Sequence, residues 1–242
     1  MLKTNSRYKP LYKKFIRLRK NIQNRKKVSL GKFNKIKWKN LNKFLNRQTF
    51  IRKKNFRSYD LNGYFIKRFG NTYKRKFLLN LLNKQSFSLF YGSLKNKYLK
   101  KIVKASDNKS KNIKESNTNC IMHTLETRLD TVLYRSHFVK SFREARYLIK
   151  HGHILLDGVK VTDNKYLLLK GDLVSISPGN ILSIIKHNVL QSNIWPIPPE
   201  SLLINYKLLN IIYLGGAKTN SFSNKFPFYI NYNSVTSYYK KN

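Results

Sequence analysis

Periodic apolar spacing along this chain begins near residue 84. In KQSFSLFYGSLKNKYLKK, residues 84–101, Phe87, Phe90, Tyr91, Leu94 and Tyr98 recur at three- and four-residue intervals, which predicts a helix with one apolar stripe. Lys84, Lys95, Lys97 and Lys101 fall mostly off that stripe, and Gly92 marks a place for close approach. ASDNKSKNIKESNTN, residues 105–119, offers a single large aliphatic side chain, Ile113. That is too little apolar surface to offset chain entropy, so a polar linker is expected over 105–120. LETRLDTVLYRSHF then sets Leu125, Leu129, Val132 and Leu133 on one helical stripe, with Arg128 and Arg135 together on another face. The next helix starts at Ser141, which with Glu144 has the S-x-x-E spacing of a capping box. Ala145, Leu148 and Ile149 point inward, and Gly152 stands where a left-handed helix stop is wanted. ILLDGVKV flanks Asp157-Gly158, a hairpin turn in which both positions need positive φ. Lys170-Gly171-Asp172 marks another turn, and LVSIS reads as a further strand. The pattern predicts two helices packed on a small sheet.

Residues 1–80 alternate basic with aromatic or aliphatic side chains without a clean period. Segments such as YKKFIRLRK and KFLLNLLNK have the makings of short helices between Asn-rich stretches. Charge changes the picture more than hydropathy does. The 242 residues carry a formal net charge of +40, and residues 1–120 hold 35 lysines and arginines against three acids. Residues 121–242 hold 15 against seven. So large an excess opposes folding unless a polyanion supplies the missing charge. The first half therefore reads as a nucleic-acid-coating region, with Arg17, Arg19, Lys84, Lys95 and Lys97 as candidate phosphate contacts. Aromatic residues among these cations, Trp38 included, suit stacking on unpaired bases, although core anchoring is expected of most.

Cys120 is the sole cysteine, which excludes an internal disulfide and a multi-cysteine zinc site. Runs such as Ile184-Ile185 and Leu202-Leu203-Ile204 are far too short to span a bilayer. The first twenty residues lack the apolar core of a secretory signal and read as mature RNA-binding sequence. Abundant Lys, Asn, Ile, Leu, Phe and Tyr with scarce Ala and Gly suggest an A/T-rich genome such as an organelle's.

Catalytic readings are weak. Glu144 has a capping role, and Asp130 sits beside Arg128 as an ion-pair partner. His151 and His153 straddle the end of a helix with no cysteine nearby, so no metal site is expected, while His151 is a candidate phosphate contact. Arg143, Arg146 and Lys150 follow at i, i+3 and i+7 with no acid at helical spacing to neutralise them. They are the favoured RNA contacts, joined by Arg128, Arg135 and Lys160. Arginine adds a planar fork for phosphates and a stacking surface that lysine lacks. In WPIPP, Trp195 is expected to pack on the prolines as a loop plug.

The run RLD-x-VLYR-x₂-F, then S-x-REAR-x-LI-x-HG-x-ILLDG-x-KV, then Y-x₃-KGD-x-VSI resembles the RNA-binding domain of the bacterial-type ribosomal protein S-four family. Upstream, Lys84-Gln85 followed by LFYGSLKNKY is similar to the family's segment ahead of that domain. PFYINYNSVTSYYKKN is faintly similar to its C-terminal strand and basic finish. Residues 1–80 lack the family's usual glycine- and proline-bearing segment and its occasional zinc-binding cysteines. Asp157 stands where the family commonly has Asn.

The resemblance implies an α+β protein with a basic, helical or extended region over 1–104 and a linker over 105–120. A compact RNA-binding domain follows over 121–180, and a divergent β-rich extension over 181–242. It further implies a structural, non-enzymatic component of the small ribosomal subunit, without cofactor or membrane, that binds small-subunit rRNA and holds a junction of several helices. A neighbour in ribosomal protein S-five, proximity to the mRNA entry path and a mitochondrial location are expected. A plastid or bacterial cytoplasm is the alternative location, and an RNA-modifying or RNA-binding protein with an appended domain of this type is the alternative function.

Overall fold

The fold comes from a computed structural model that describes residues 18, 22, 36–37, 39–40, 43, 73–113, 116–192, 194, 197–215, 226, 228 and 230–241. The named elements are α1 (Tyr73–Phe90), α2 (Asn96–Ile113), α3 (Asn117–Glu126), α4 (Leu129–Arg135), α5 (Phe142–Lys150), β1 (Ile154–Leu156), β2 (Val159–Lys160), β3 (Leu173–Ile176), α6 (Ile181–Ser192), β4 (Leu202–Asn205), β5 (Asn210–Tyr213) and α7 (Tyr232–Lys241). The described residues fall into two compact units. One lies within Met1–Phe90 and Phe226–Tyr238, the other within Tyr91–Lys225 and Tyr239–Asn242. In the first unit, Phe90 of α1 packs on Phe226 and Phe228, with ring centroids 4.7 and 6.0 Å away. Among the described residues, no helix is long and apolar enough to cross a membrane.

The second unit is built on an antiparallel five-stranded sheet of order β2-β1-β3-β5-β4. Pairing of Ile154 with Ile176 and of Val174 with Ile211 puts buried side chains on one face, as the two-residue period requires. Against that face lie Leu129, Val132 and Leu133 of α4, Ala145, Leu148 and Ile149 of α5, and Ile185 and Val189 of α6. The β1–β2 turn has Asp157 at φ +48 and Gly158 at φ +85, as the Asp-Gly pair predicts.

Four expectations are corrected. The stripe over 84–101 is not one helix: Gly92 at φ +70 and Ser93 at φ +61 interrupt it between α1 and α2. Two successive left-handed residues cannot continue a right-handed helix. Much of the expected linker is helical, since α2 runs on through Ile113 and α3 begins at Asn117. Leu99, Ile102 and Val103 bury the start of α2, and its polar continuation is held by side chains. Ser106 Oγ donates to Asn117 Oδ1, and Asn117 Nδ2 donates to Asp107 Oδ1.

The third correction concerns LETRLDTVLYR, which is broken at Thr127-Arg128, with Arg128 extended at φ −68 and ψ 139. There the backbone bonds across to another segment. Leu129 N–H donates to Tyr166 C=O at 3.0 Å, and Leu168 N–H donates to Thr127 C=O at 2.9 Å. The fourth is the region after 180, which is no mere extension. It supplies α6, β4 and β5, so the sheet and core begun by the RNA-binding-type segment are finished by residues 181–215. Of the stretch expected to give a C-terminal strand and a basic finish, Tyr232–Lys241 is the helix α7, started by Asn231, whose Oδ1 accepts from Ser234 N–H at 3.2 Å.

Candidate nucleic-acid interface

The expected contact helix, α5, is fixed at both ends. At its start Ser141 Oγ accepts from Glu144 N–H at 3.2 Å, half of the capping box. The Glu144 carboxylate returns one residue earlier than the motif predicts, accepting from Lys140 N–H at 2.7 Å. Its other oxygen accepts from Asn188 Nδ2 of α6 at 3.1 Å. Glu144 is thus a tie between helices. At the far end Gly152 at φ +69 follows the last turn. Gly152 N–H donates to Ile149 C=O at 2.9 Å and His153 N–H to Leu148 C=O at 3.1 Å, the paired bonds of a Schellman stop.

With Phe142, Ala145, Leu148 and Ile149 buried, the opposite side of α5 is left to Arg143, Tyr147 and Lys150. Lys150 and His151 are exposed, and so is Lys160 on β2. A Cβ at Gly152 would lie 3.8 Å from Lys160 Cδ, which places the Lys160 stem against the helix stop. Arg143 is half-buried. Two lysines, a histidine and a tyrosine therefore gather where α5 hands over to the hairpin.

Three of the expected contacts face inward instead. Arg128 grips Asp130 with two bonds of 2.9 and 2.8 Å, both residues buried. Arg135 grips Glu126 with bonds of 3.0 and 2.7 Å, and Tyr91 Oη donates to the same carboxylate at 2.6 Å. Arg146 donates from Nε to Asp130 at 2.8 Å, from Nη1 to Gly92 C=O at 2.9 Å and from Nη2 to Tyr91 C=O at 2.7 Å. The physical reason is charge matching. Burial alone would lower the Arg135 and Arg128 pKa values, but the adjoining Glu126 and Asp130 carboxylates outweigh it and hold both raised. Breaking such a pair by removing one partner costs about 3–5 kcal/mol. The break at Thr127-Arg128 is what turns Arg128 away from the outer face expected of a single helix.

Gly92 serves this network twice. It takes positive φ, and a Cβ there would sit 2.8 Å from Phe142 Cβ and 3.0 Å from Arg146 Nη1. That is the close approach its place in the sequence suggests.

The remaining expected residues scatter. Lys84 lies in the first unit and is buried, its ammonium 5.0 Å from the Tyr238 ring centroid, and burial lowers its pKa. Lys95 and Lys97 are exposed at the start of α2. Arg17, Arg19 and Trp195 lie outside the described residues. Sequence reasoning did not single out the exposed Tyr147 and Lys165. Lys165 stands 5.8 Å from the Tyr98 ring, which Arg128 also faces at 5.1 Å. Only the helical phase of Tyr147, outside the stripe of Ala145, Leu148 and Ile149, hinted at its exposure. No group of three or more His, Cys, Asp or Glu side chains is placed to hold a metal ion among the described residues.

The S4 domain profile matches residues 127–174, from the break before α4 to the start of β3. The small ribosomal subunit protein uS4m of Reclinomonas americana is 31% identical over 229 residues, covering 85% of this chain and 87% of that protein. The uS4 protein of Aquifex aeolicus is 38% identical over 112 residues, 46% of this chain and 51% of that protein. The uS4m protein of Dictyostelium citrinum is 35% identical over 124 residues, 51% of this chain and 36% of that protein. The first of these spans nearly the whole chain, and with the S4 domain in place the chain belongs to the family of small ribosomal subunit protein uS4.

Proposed function

We propose that this protein is a structural constituent of a small ribosomal subunit, binding its rRNA through the outer side of α5 and the adjoining hairpin. The observation that carries the reading is the corner formed by Lys150, His151 and Lys160. These residues are exposed and lie within the matched S4 domain, Lys150 and His151 at the end of a helix fixed at both ends and Lys160 on β2 against that helix's stop. Lysines on such a surface neutralise phosphates and release counterions, which positions the protein without reading sequence. Lys95 and Lys97, and the basic first half of the chain with Arg17 and Arg19, extend the same electrostatic contact to neighbouring RNA.

The finer reading is supported by the family resemblance. The protein holds a junction of several rRNA helices during assembly, beside ribosomal protein S-five and near the mRNA entry path. The location is mitochondrial, in line with the mitochondrial relatives and the A/T-biased composition. A structural role also suits the acids, because Glu126 and Asp130 neutralise buried arginines and Glu144 ties α5 to α6.

The test is sedimentation of the native protein at moderate salt, followed by sequencing of the RNA that travels with it. Co-sedimentation with small-subunit rRNA is expected, from mitochondria in particular. Migration free of that RNA would sink the ribosomal reading.

A further inference from the structure

Among exposed aromatic side chains, Tyr147 stands out by its surroundings. It is 59% exposed in the middle of α5, on the side of the helix that carries Lys150. Its ring centroid lies 4.2 Å from that of His151, tilted by 51°. His151 in turn lies 6.1 Å from His153 with planes only 26° apart. Three rings thus run in a row from the helix surface over its stop to the start of β1. Lysines flank the row, Lys150 within it in sequence and Lys160 against the glycine between the histidines.

A solvated helix face has no need of an aromatic ring here. Nor does the core claim Tyr147, because the buried stripe is filled by Phe142, Ala145, Leu148 and Ile149. An exposed ring held against a second ring, with exposed lysines on the same end of the helix and on the adjoining strand, matches what unpaired nucleotides require. The base finds a π-face, and the phosphates on either side find cations. The two caps of α5 hold the ring in place before binding, so little ordering is lost on contact. Base-paired RNA offers no such face except at its ends.

We propose that Tyr147, backed by His151, is a stacking platform for an unpaired base of single-stranded RNA, with Lys150 and Lys160 on the flanking phosphates. The proposal rests on the RNA-binding reading above and adds to it a specific ligand, an unstacked nucleotide, and a specific residue.

The experiment uses the full chain and two 12-nucleotide probes, an oligouridylate carrying one 4-thiouridine and a ribose-phosphate strand of equal length without bases. Affinity is read by fluorescence anisotropy, and photo-crosslinks from the 4-thiouridine are mapped by peptide mass spectrometry. A crosslink on Tyr147 or His151 is expected. Tyr147→Ala should weaken the base-bearing probe by about fivefold or more while leaving the abasic strand within about twofold. Tyr147→Phe should behave as the parent, and Tyr147→Leu as the alanine variant with an unchanged melting temperature. Equal weakening of both probes, no change in either, or absence of any crosslink within residues 143–153 would overturn the platform. Binding of the abasic strand separates the two readings. If the parent chain does not hold it at all, the RNA-binding surface itself fails; if it is held but Tyr147 makes no base-dependent difference, only the platform fails.

Discussion

Two sets of cations in the second unit have opposite fates. Arg128, Arg135 and Arg146 turn toward carboxylates and carbonyls, whereas Lys95, Lys97, Lys150 and Lys160 stay in water. The division follows side-chain chemistry. A guanidinium can satisfy several acceptors at fixed angles and survive burial, while an ammonium is strongly hydrated and resists it. Acids are scarce in this chain, ten against fifty cations. Two of them, Glu126 and Asp130, are spent inside on three arginines. The lesson is that the place of these cations is decided by where the few acids are buried, and the surface left over is the one proposed to meet RNA.

That contrast is best broken at its acid side. Asp130→Ala strands Arg128 and Arg146 together, and a loss of about 3–5 kcal/mol is expected in urea unfolding at constant slope. A loss below about 1 kcal/mol would mean the buried network is incidental. Gly92→Ala comes next. It forces a side chain into positive φ and into Phe142 and Arg146, and should lower stability by about 1–3 kcal/mol by the same assay. Unchanged stability would show that Arg146 needs no open path to the Tyr91 and Gly92 carbonyls.

On the other side of the comparison, Lys150→Ala with Lys160→Ala should leave stability within about 0.5 kcal/mol. The same pair should flatten the slope of log affinity against log salt by about one to two. An unchanged slope would remove this corner from the interface. Arg146→Ala is the wrong probe for that question, because it unlocks the interior.

The smallest effect concerns a buried hydroxyl. Tyr213 Oη is buried without a hydrogen-bond partner among the described residues. Burial, and after it the Glu126 carboxylate, raises its pKa above the ordinary 10.0. A raised pKa means that the unfolded chain gives up this proton first, so stability present below pH 10 is lost as pH climbs beyond it. Tyr213→Phe should therefore gain up to about 1 kcal/mol at neutral pH and lose less than the parent between pH 9 and 11. Parallel curves for the two proteins would contradict this.

How much of this was legible beforehand varied with the physics involved. Local chemistry announced α5 well, because Ser141, Gly152 and the Asp157-Gly158 turn act within a few residues of themselves. The α2 helix through 105–113 was hidden, since its polar side chains satisfy each other and composition registers only their polarity. The break at Thr127-Arg128 was equally hidden, because its cause is backbone pairing with Tyr166 and Leu168, some forty residues on. The same break decides which way Arg128 points, so an error in local structure became an error in the site. Lys150, Lys160 and His151, expected as RNA contacts, are exposed among the described residues.

The bonds from Arg146 to Tyr91 and Gly92 reach back 55 and 54 residues. During synthesis those two carbonyls leave the ribosome long before the guanidinium that will satisfy them. The β3 strand likewise waits for β5, which lies nearly forty residues downstream. Contacts of such separation close late and slowly. The seat of α5, the helix proposed to face RNA, is consequently completed by contacts of long sequence separation rather than by its own caps alone.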